Sequence, residues 1–531
     1  MKLLYKAYTY FKYRPGKEVK SVFKNFPETH EQPEPTSEIK NKKILFCPFA
    51  PHHLNIIREG IWAHACKLRG AEVKMLTYDL FLDAIDFINP NIKKDLSVSY
   101  KISKKLYNII KLPYITMSSY FNKSSDLAYD FNNLEPVDIE NLNHKGIVLG
   151  DLVIASSVRY FFCNGPEWDN PEFLNKARQF ARSAVILTDI FESILLKEKP
   201  DKIVSSHGIY VSWGTLFRMA RKMNIPIDIY GASYRKNTLR FYHNAPNAPF
   251  PVGEWNSFKN IELSKEETNR VDEYFASRSS QSQDSVTLFT ENSDFPDSLN
   301  KFITKSKADN KKLFCLFSNI SWDAYMFKDS TATFSSMTEW LSFTIKQFLD
   351  NTNHNLIIKA HPAEKYFKVN DKYCLRSFIP KNLTPNIFFI DNDQNVKSFD
   401  LYPLIDVGLT YLSTVSIEMA MNNIPVITAG IGGQYSNKGF TIDPNSKNEY
   451  FSLIDGFSNQ QTTFVPDLSM AKKYMYFRFF REAIGEKLID VVKYKVSSIK
   501  LKNHEDLIIG KDTTLDIICE GFLNDKPFIN I

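Results

Sequence analysis

Three turns in the second half of the chain carry residue types that can handle a phosphate. The first is Lys359-Ala360-His361-Pro362, where an apolar run ends in a histidine that the following proline keeps out of helical conformation. At the end of a buried strand, such an imidazole can donate a hydrogen bond to a phosphate oxygen, and Lys359 adds charge beside it. The second turn is Thr410-Tyr411-Leu412-Ser413-Thr414-Val415-Ser416-Ile417-Glu418. Here the unpaired amides of a helix's first turn combine with the hydroxyls of Ser413, Thr414 and Ser416 into an anion site, and Glu418, about one turn in, can accept from ribose hydroxyls. Taken singly, these residues also read as an ordinary capping box. The third is Gly430-Ile431-Gly432-Gly433 with Lys438-Gly439 beyond it. Glycines such as Gly432 let backbone approach a ligand closely, and Lys438 can neutralise a leaving phosphate. Asn319 and Asp323 stand in the equivalent loop after an earlier strand, where a simple turn explains them almost as well.

In the first half, His52 and His53 follow one apolar strand and His207 follows another. An acceptor hydroxyl that attacks with inversion needs a base nearby, and histidine has a suitable ordinary pKa. His207 ranks slightly above His52, with a core or surface histidine as the competing explanation for each. Asp391-Asn392-Asp393 has the spacing of a D-x-D metal site but stands before a helix as turn and cap residues, so no metal site is expected. No cofactor is called for, a nucleotide-linked ligand being a substrate. The six cysteines lie far apart with no C-x-x-C pair, as expected of buried reduced thiols.

The elements that must position these residues follow from periodicity. Lys42–Cys47, a helix over Ile56–Arg69 and Glu72–Leu76 make a strand–helix–strand unit; Lys202–Ser206, Val211–Met223 and Ile225–Tyr230 make another. Residues 80–200 are mostly helical in pattern. After a polar stretch over 256–310, read as a linker, the alternation resumes. Strands are expected at Lys312–Phe317, Asn355–Lys359, Ile387–Ile390, Asp406–Thr410 and Ile424–Thr428, with helices at Thr338–Asp350, Val396–Leu404 and Ser413–Asn422. Such alternation means parallel sheets, whose ligands sit at the carboxyl ends of the strands. The expected fold is α/β, with two Rossmann-like parallel-sheet domains facing a cleft. These span 42–255 and 311–465, after a basic aromatic leader and linker (1–41) and before a helical C-terminal tail (466–531).

Length and charge agree with this plan. A chain of 531 residues, 43% apolar and 24% charged, is too long for one ordinary core and has a globular composition. The net charge of +6 equals that of the first 24 residues alone, seven Lys and Arg against one Glu. The balanced remainder argues against a nucleic-acid partner. Within residues 1–26, Leu4, Tyr8 and Phe11 would share one side of a helix ringed by lysines, which can lie on an anionic membrane surface or pack as a solvated leader. No apolar run is long enough to span a bilayer and no secretory signal is evident, so a cytoplasmic protein is expected, at most peripheral to the inner face of the membrane.

Taken together, K-A-H-P at 359–362, T-Y-L-S-T-V-S-I-E-M-A at 410–420, N-I-P-V-I-T-A-G at 423–430, K-G-F-T-I-D-P at 438–444 and S-S-H-G-I-Y-V-S-W-G at 205–214 resemble the bacterial capsular polysaccharide and surface-carbohydrate biosynthesis proteins. These have the GT-B fold and are distantly similar to Kdo transferases and polyglycerol-phosphate transferases. The resemblance covers much of residues 200–445. It implies a metal-independent glycosyltransferase that moves a sugar from a nucleotide-sugar donor to a capsular or lipopolysaccharide-type acceptor, a glycan or a lipid-linked glycan. It also implies donor-binding roles for His361, Ser413, Thr414 and Glu418. The Gln-Pro motif that Kdo transferases pair with their His-Pro motif is matched only by Gln32-Pro33 in the linker, so the sugar is left open. A nucleotide-sugar epimerase of the same fold and a non-catalytic polysaccharide-assembly protein are the competing readings.

Overall fold

The computed structural model describes residues 23, 42–49, 53–79, 82–86, 96–122, 129–247, 253–285, 293–323, 333–429, 434–492 and 495–530. The chain divides into two compact units. Unit 1 takes residues 1–161, 166–248 and 481–531; unit 2 takes 162–165 and 249–480.

Unit 1 is built on β1 (Lys43–Cys47), β2 (Glu72–Thr77), β3 (Tyr114–Thr116), β4 (Lys202–Ser206), β5 (Ile227–Ala232) and β6 (Thr238–His243). Their order is β6-β5-β4-β1-β2-β3, with Ile484–Gly485 added outside β6. The five strands β3, β2, β1, β4 and β5 are mutually parallel; β6 runs antiparallel to β5, and Ile484–Gly485 runs antiparallel to β6 and so in the direction of the five. The chain therefore winds outward from β1 first to one side and then to the other, and the order reverses between β1 and β4. Central strands such as KILFC and KIVSS read as near-continuous apolar or small runs because helices cover both faces. Three strands of this sheet had no signal in the sequence: β3 is only three residues long, β6 alternates weakly, and Ile484–Gly485 is a pair of residues in a stretch expected to be helical.

Unit 2 repeats the plan with β7 (Leu313–Phe317), β8 (Asn355–Lys359), β9 (Ile387–Ile390), β10 (Val407–Thr410) and β11 (Val426–Thr428), in the order β9-β8-β7-β10-β11 and all parallel. Alternate residues of each strand feed opposite cores. Phe314, Leu316, Leu356 and Ile358 pack with Trp340, Leu341 and Phe348 of the helix Met337–Asp350. Cys315, Phe317 and Ile357 pack on the other face with Ile303, Tyr402 and Met419. Gly408 lets the helix Val415–Met421 lie close on β10, since a Cβ there would stand 2.2 Å from the Met419 methyl.

The polar stretch 256–310, expected as a linker, holds the helix Lys265–Arg278 and the helix Asp297–Ala308, with Gly253–Phe258 just before them. The first is opened by a Ser264–Glu267 capping box, which the sparse apolar content had masked. The C-terminal region is helical at Leu468–Tyr476 and Thr513–Asn524. Between these lie Ile484–Gly485 and the hairpin Ile489–Val492 with Lys495–Ile499. All six cysteines are buried and none forms a disulfide. Among the described residues no helix is long and apolar enough to cross a membrane. The leader segment 1–22 lies outside the described residues.

Candidate functional site

In unit 2 the register sets Lys359, Phe317, Thr410 and Thr428 on one row across β8, β7, β10 and β11. The turns carrying the candidate residues therefore leave the sheet at one level, on its carboxyl edge, and the order reverses between β7 and β10. At that reversal Asn319 spans the two strand ends: its Nδ2 donates to the Leu412 carbonyl (2.8 Å), and its Oδ1 accepts from the Leu412 amide (3.4 Å). Asn319 thus acts on the turn rather than standing open beside it. A recess next to it is lined by Asn319, Ser321, Trp322, Glu364 and Tyr373.

His361 follows β8 and is half-buried. Its Nδ1 accepts the Ala363 amide (3.1 Å), which places the proton of the neutral ring on Nε2. Burial, helped by the charge of Lys359, pulls its pKa down to about 4. The ring is therefore a neutral Nε2–H donor at physiological pH. Lys359 is buried at the last position of β8, and burial lowers its ammonium to about 8. It remains largely charged at neutral pH but is a softer cation than a surface lysine.

In the second turn the Ser413 hydroxyl accepts the Val415 amide (3.3 Å), as an N-terminal turn requires, and Thr410 and Ser416 share a hydroxyl–hydroxyl bond (2.8 Å) that ties the strand end to the helix. Thr414 is half-exposed at the head of that helix. Glu418 departs from expectation. Its Oε1 accepts from Nε of Arg278 (3.1 Å) and from the same guanidinium's Nη2, while Oε2 accepts the Tyr402 hydroxyl (2.7 Å). Only 4% of the residue is exposed, and both carboxylate oxygens are engaged in the interior by Arg278 and Tyr402. Arg278 and Tyr402 lie 140 and 16 residues away, and nothing local announces them.

Gly432 lies outside the described residues. Lys438, beyond it, is half-buried and donates to the Ser436 carbonyl (2.8 Å). Burial lowers its ammonium, with Arg478 and Lys259 adding repulsion against the pull of Asp443. Asp391 pairs with Arg376 (2.9 Å), and the Asn392 side chain donates to Glu364 (2.9 Å). Among the described residues no group of three or more His, Cys, Asp or Glu is arranged to hold a metal ion.

In unit 1 the order reverses between β1 and β4, and His207 opens the turn after β4. His207, Gly208 and Tyr210 all have positive φ (60°, 69° and 64°), and a π-helical turn follows over Tyr210–Gly214. Left-handed backbone at two side-chain-bearing residues costs of order 1–3 kcal/mol each and concentrates at functional sites. The imidazole stacks on Trp213 with centroids 4.4 Å apart. Burial, together with the charges of Arg159 and Arg58, pushes its pKa down to about 3. The ring stands unprotonated at neutral pH, as a base must, but so low a basicity makes it a weak acceptor of a hydroxyl proton. Asp86 also reaches this turn: its Oδ2 accepts the Ser212 amide (2.7 Å), while its buried Oδ1 has no partner among the described residues. Burial raises its pKa against the hydrogen bonds of Ser156 and Ser212. A lone aspartate in a weakly patterned segment gives no sequence signal. His52 lies outside the described residues.

No family model matches the chain, and no curated protein does. Among solved structures it is similar to KpsC of Thermosulfurimonas dismutans, a beta Kdo 2,4 transferase, at 11% identity and a TM-score of 0.34 over 52% of this chain and 79% of that one. It is similar to a putative UDP-N-acetylglucosamine 2-epimerase from Listeria monocytogenes at 8% identity and a TM-score of 0.25, over 92% and 98% of the two chains. A third is CalG4, the calicheamicin glycosyltransferase, at 10% identity and a TM-score of 0.25, over 83% and 94%. Likeness at this level carries no argument about activity, which rests on the chain's own residues.

Proposed function

We propose that the chain is a glycosyltransferase that moves a sugar from a nucleotide-sugar donor to a growing surface glycan, working at the cytoplasmic side of the cell membrane. The observation that carries this reading is the row of polar turns on the carboxyl edge of the unit 2 sheet. There a neutral histidine donor (His361), a buried lysine (Lys359) and a hydroxyl-bearing turn (Ser413, Thr414) flank the point where the strand order reverses, the usual place for a nucleotide in such sheets.

In this reading unit 2 holds the donor. His361 donates Nε2–H to a phosphate oxygen, Lys359 supplies charge, and Asn319 fixes the hydroxyl turn. The acceptor's hydroxyl oxygen attacks the anomeric carbon, the bond from that carbon to the phosphate oxygen breaks, and the nucleotide departs with the electron pair. The acceptor proton goes to a general base. Phosphate charge is met by Lys438 and Lys359, so no metal is invoked.

The test is a thermal-shift and nucleotide-release panel with UDP-, GDP-, CMP- and CDP-linked donors on the wild-type chain and on His361→Ala. One hydrogen bond to a charged phosphate is worth about 1.5–3 kcal/mol, so the variant should bind the responsive donor about ten- to a hundredfold more weakly. Net transfer with release of free nucleotide separates this activity from an epimerase. If no donor class stabilises the wild-type chain, the reading fails in favour of a non-catalytic assembly protein.

A further inference from the structure

One helix of unit 1 carries all of its charge on one side. Leu96–Ile110 buries Ile102, Ser103, Leu106, Tyr107 and Ile110, whereas Lys101, Lys104, Lys105 and Asn108, which recur at one-turn spacing, are exposed. Lys111, in left-handed conformation just past the helix end, is exposed as well. Residues 96–112 contain no Asp or Glu, and Lys101, Lys104 and Lys111 make no ion pair with any described residue. The row continues into Tyr114, 36% exposed, whose hydroxyl donates to the Asn108 side-chain oxygen (3.4 Å) and whose ring centre lies 5.4 Å from that of Tyr107. The same helix marks where the basic leader meets unit 1. Phe23 is fully buried with its ring 5.9 Å from the His64 ring, and His64 Nε2 donates to the Ile110 carbonyl (2.7 Å).

Like charges one turn apart repel, so a row of lysines without acids weakens the free helix, and an anionic surface removes that cost. The first 24 residues bring a net charge of +6 to this place through Phe23, and a second basic segment beside a basic face adds repulsion unless one anionic surface takes both. A tyrosine with an apolar ring and a polar tip next to lysines suits the boundary of a bilayer better than a soluble polyanion. We propose that the exposed face of Leu96–Ile110, with Lys111 and Tyr114, is a docking surface for anionic lipid headgroups. The ammonium groups of Lys101, Lys104 and Lys111 meet lipid phosphates, and the Tyr114 ring lies at headgroup level. The leader and this face are two tethered contacts, each raising the effective concentration of the other at the bilayer. The face supplies the lipid partner for the membrane location proposed above and rests on that reading for which leaflet it meets.

The test is cosedimentation of the full chain with phosphatidylcholine vesicles made with and without phosphatidylglycerol. One variant combines Lys101→Gln, Lys104→Gln and Lys111→Gln; a control combines Lys301→Gln and Lys305→Gln, which remove charge from an exposed helix of unit 2. Glutamine keeps the helix propensity of lysine at exposed positions, so both chains should fold, as circular dichroism will check. A lysine near an anionic leaflet is worth about fivefold in binding, so the triple variant should bind phosphatidylglycerol vesicles about a hundredfold more weakly, and the control within about twofold of the wild type. Wild-type binding should also fall steeply between about 0.1 M and 1 M salt, as the screening length drops from about 10 Å to 3 Å. Equal loss in the variant and the control, an unchanged triple variant, or a wild-type chain that ignores phosphatidylglycerol overturns the docking face. Capture of the wild type by soluble dextran sulfate but not by vesicles overturns it in favour of a polyanionic chain. Nucleotide response in solution is read separately on the same triple variant and should match the wild type, so a failed donor reading leaves this face standing and a failed face leaves the donor reading intact.

Discussion

Glu418 separates a binding role from a structural one, because its partners commit it to the interior of unit 2. Arg278 meets it through Nε and Nη2 and also holds Asp284 (2.9 Å) and the Tyr274 hydroxyl (3.1 Å), with the guanidinium and both carboxylates largely shut off from solvent. Replacing Glu418 by Ala strands the guanidinium with Asp284 as its remaining carboxylate and leaves the Tyr402 hydroxyl without its acceptor. Breaking a buried pair by removing one partner costs about 3–5 kcal/mol. For a unit of this size, each kcal/mol lowers Tm by about 2–4 °C, so the expected fall is roughly 6–20 °C. Glu418→Gln keeps an acceptor for Tyr402 and should lose less. The double variant Arg278→Met with Glu418→Leu should regain part of the loss, but not all of it, since Asp284 then retains only the Tyr274 hydroxyl (2.7 Å). Scanning calorimetry with a nucleotide titration measures both quantities. A Glu418→Ala chain that melts with the wild type yet binds the responsive nucleotide tenfold more weakly would refute the interior assignment and restore the ribose contact.

Three further outcomes are expected. His361 is already neutral above about pH 4, so nucleotide affinity should show no inflection from its titration between pH 5 and 8; a step that disappears in His361→Ala would contradict the neutral state of the ring. His243 gives Nδ1 to Asp228 (2.8 Å) and Nε2 to the Lys526 carbonyl (2.9 Å); burial and Lys202 oppose its protonation, but these partners outweigh them and raise its pKa. The stability it contributes is therefore full below the unfolded value of about 6.5 and is lost as pH rises through the higher folded value, and urea midpoints of His243→Gln should lack that decline. Deleting residues 1–26 should release the chain from anionic vesicles in a flotation assay, and unchanged flotation would remove the membrane role of the leader.

The sequence by itself determined the strands and the turns after them. β7, β8 and β10 are apolar runs buried on both faces, and a run of that kind, cut by His-Pro or by a hydroxyl cluster, announces a strand end whatever else the chain does. The α/β alternation and the strand ends from which His361 and Ser413 emerge are therefore local properties summed along the chain. Only the tertiary structure decided what each polar group faces. Glu418 looked like a free carboxylate until Arg278, 140 residues away, closed on it. His207 kept the ordinary pKa of a histidine on paper, and burial beside Arg159 and Arg58 took it away. Backbone pattern is written in neighbours a few residues apart, whereas charge and protonation depend on desolvation and on partners brought together by folding, and those have no period to read.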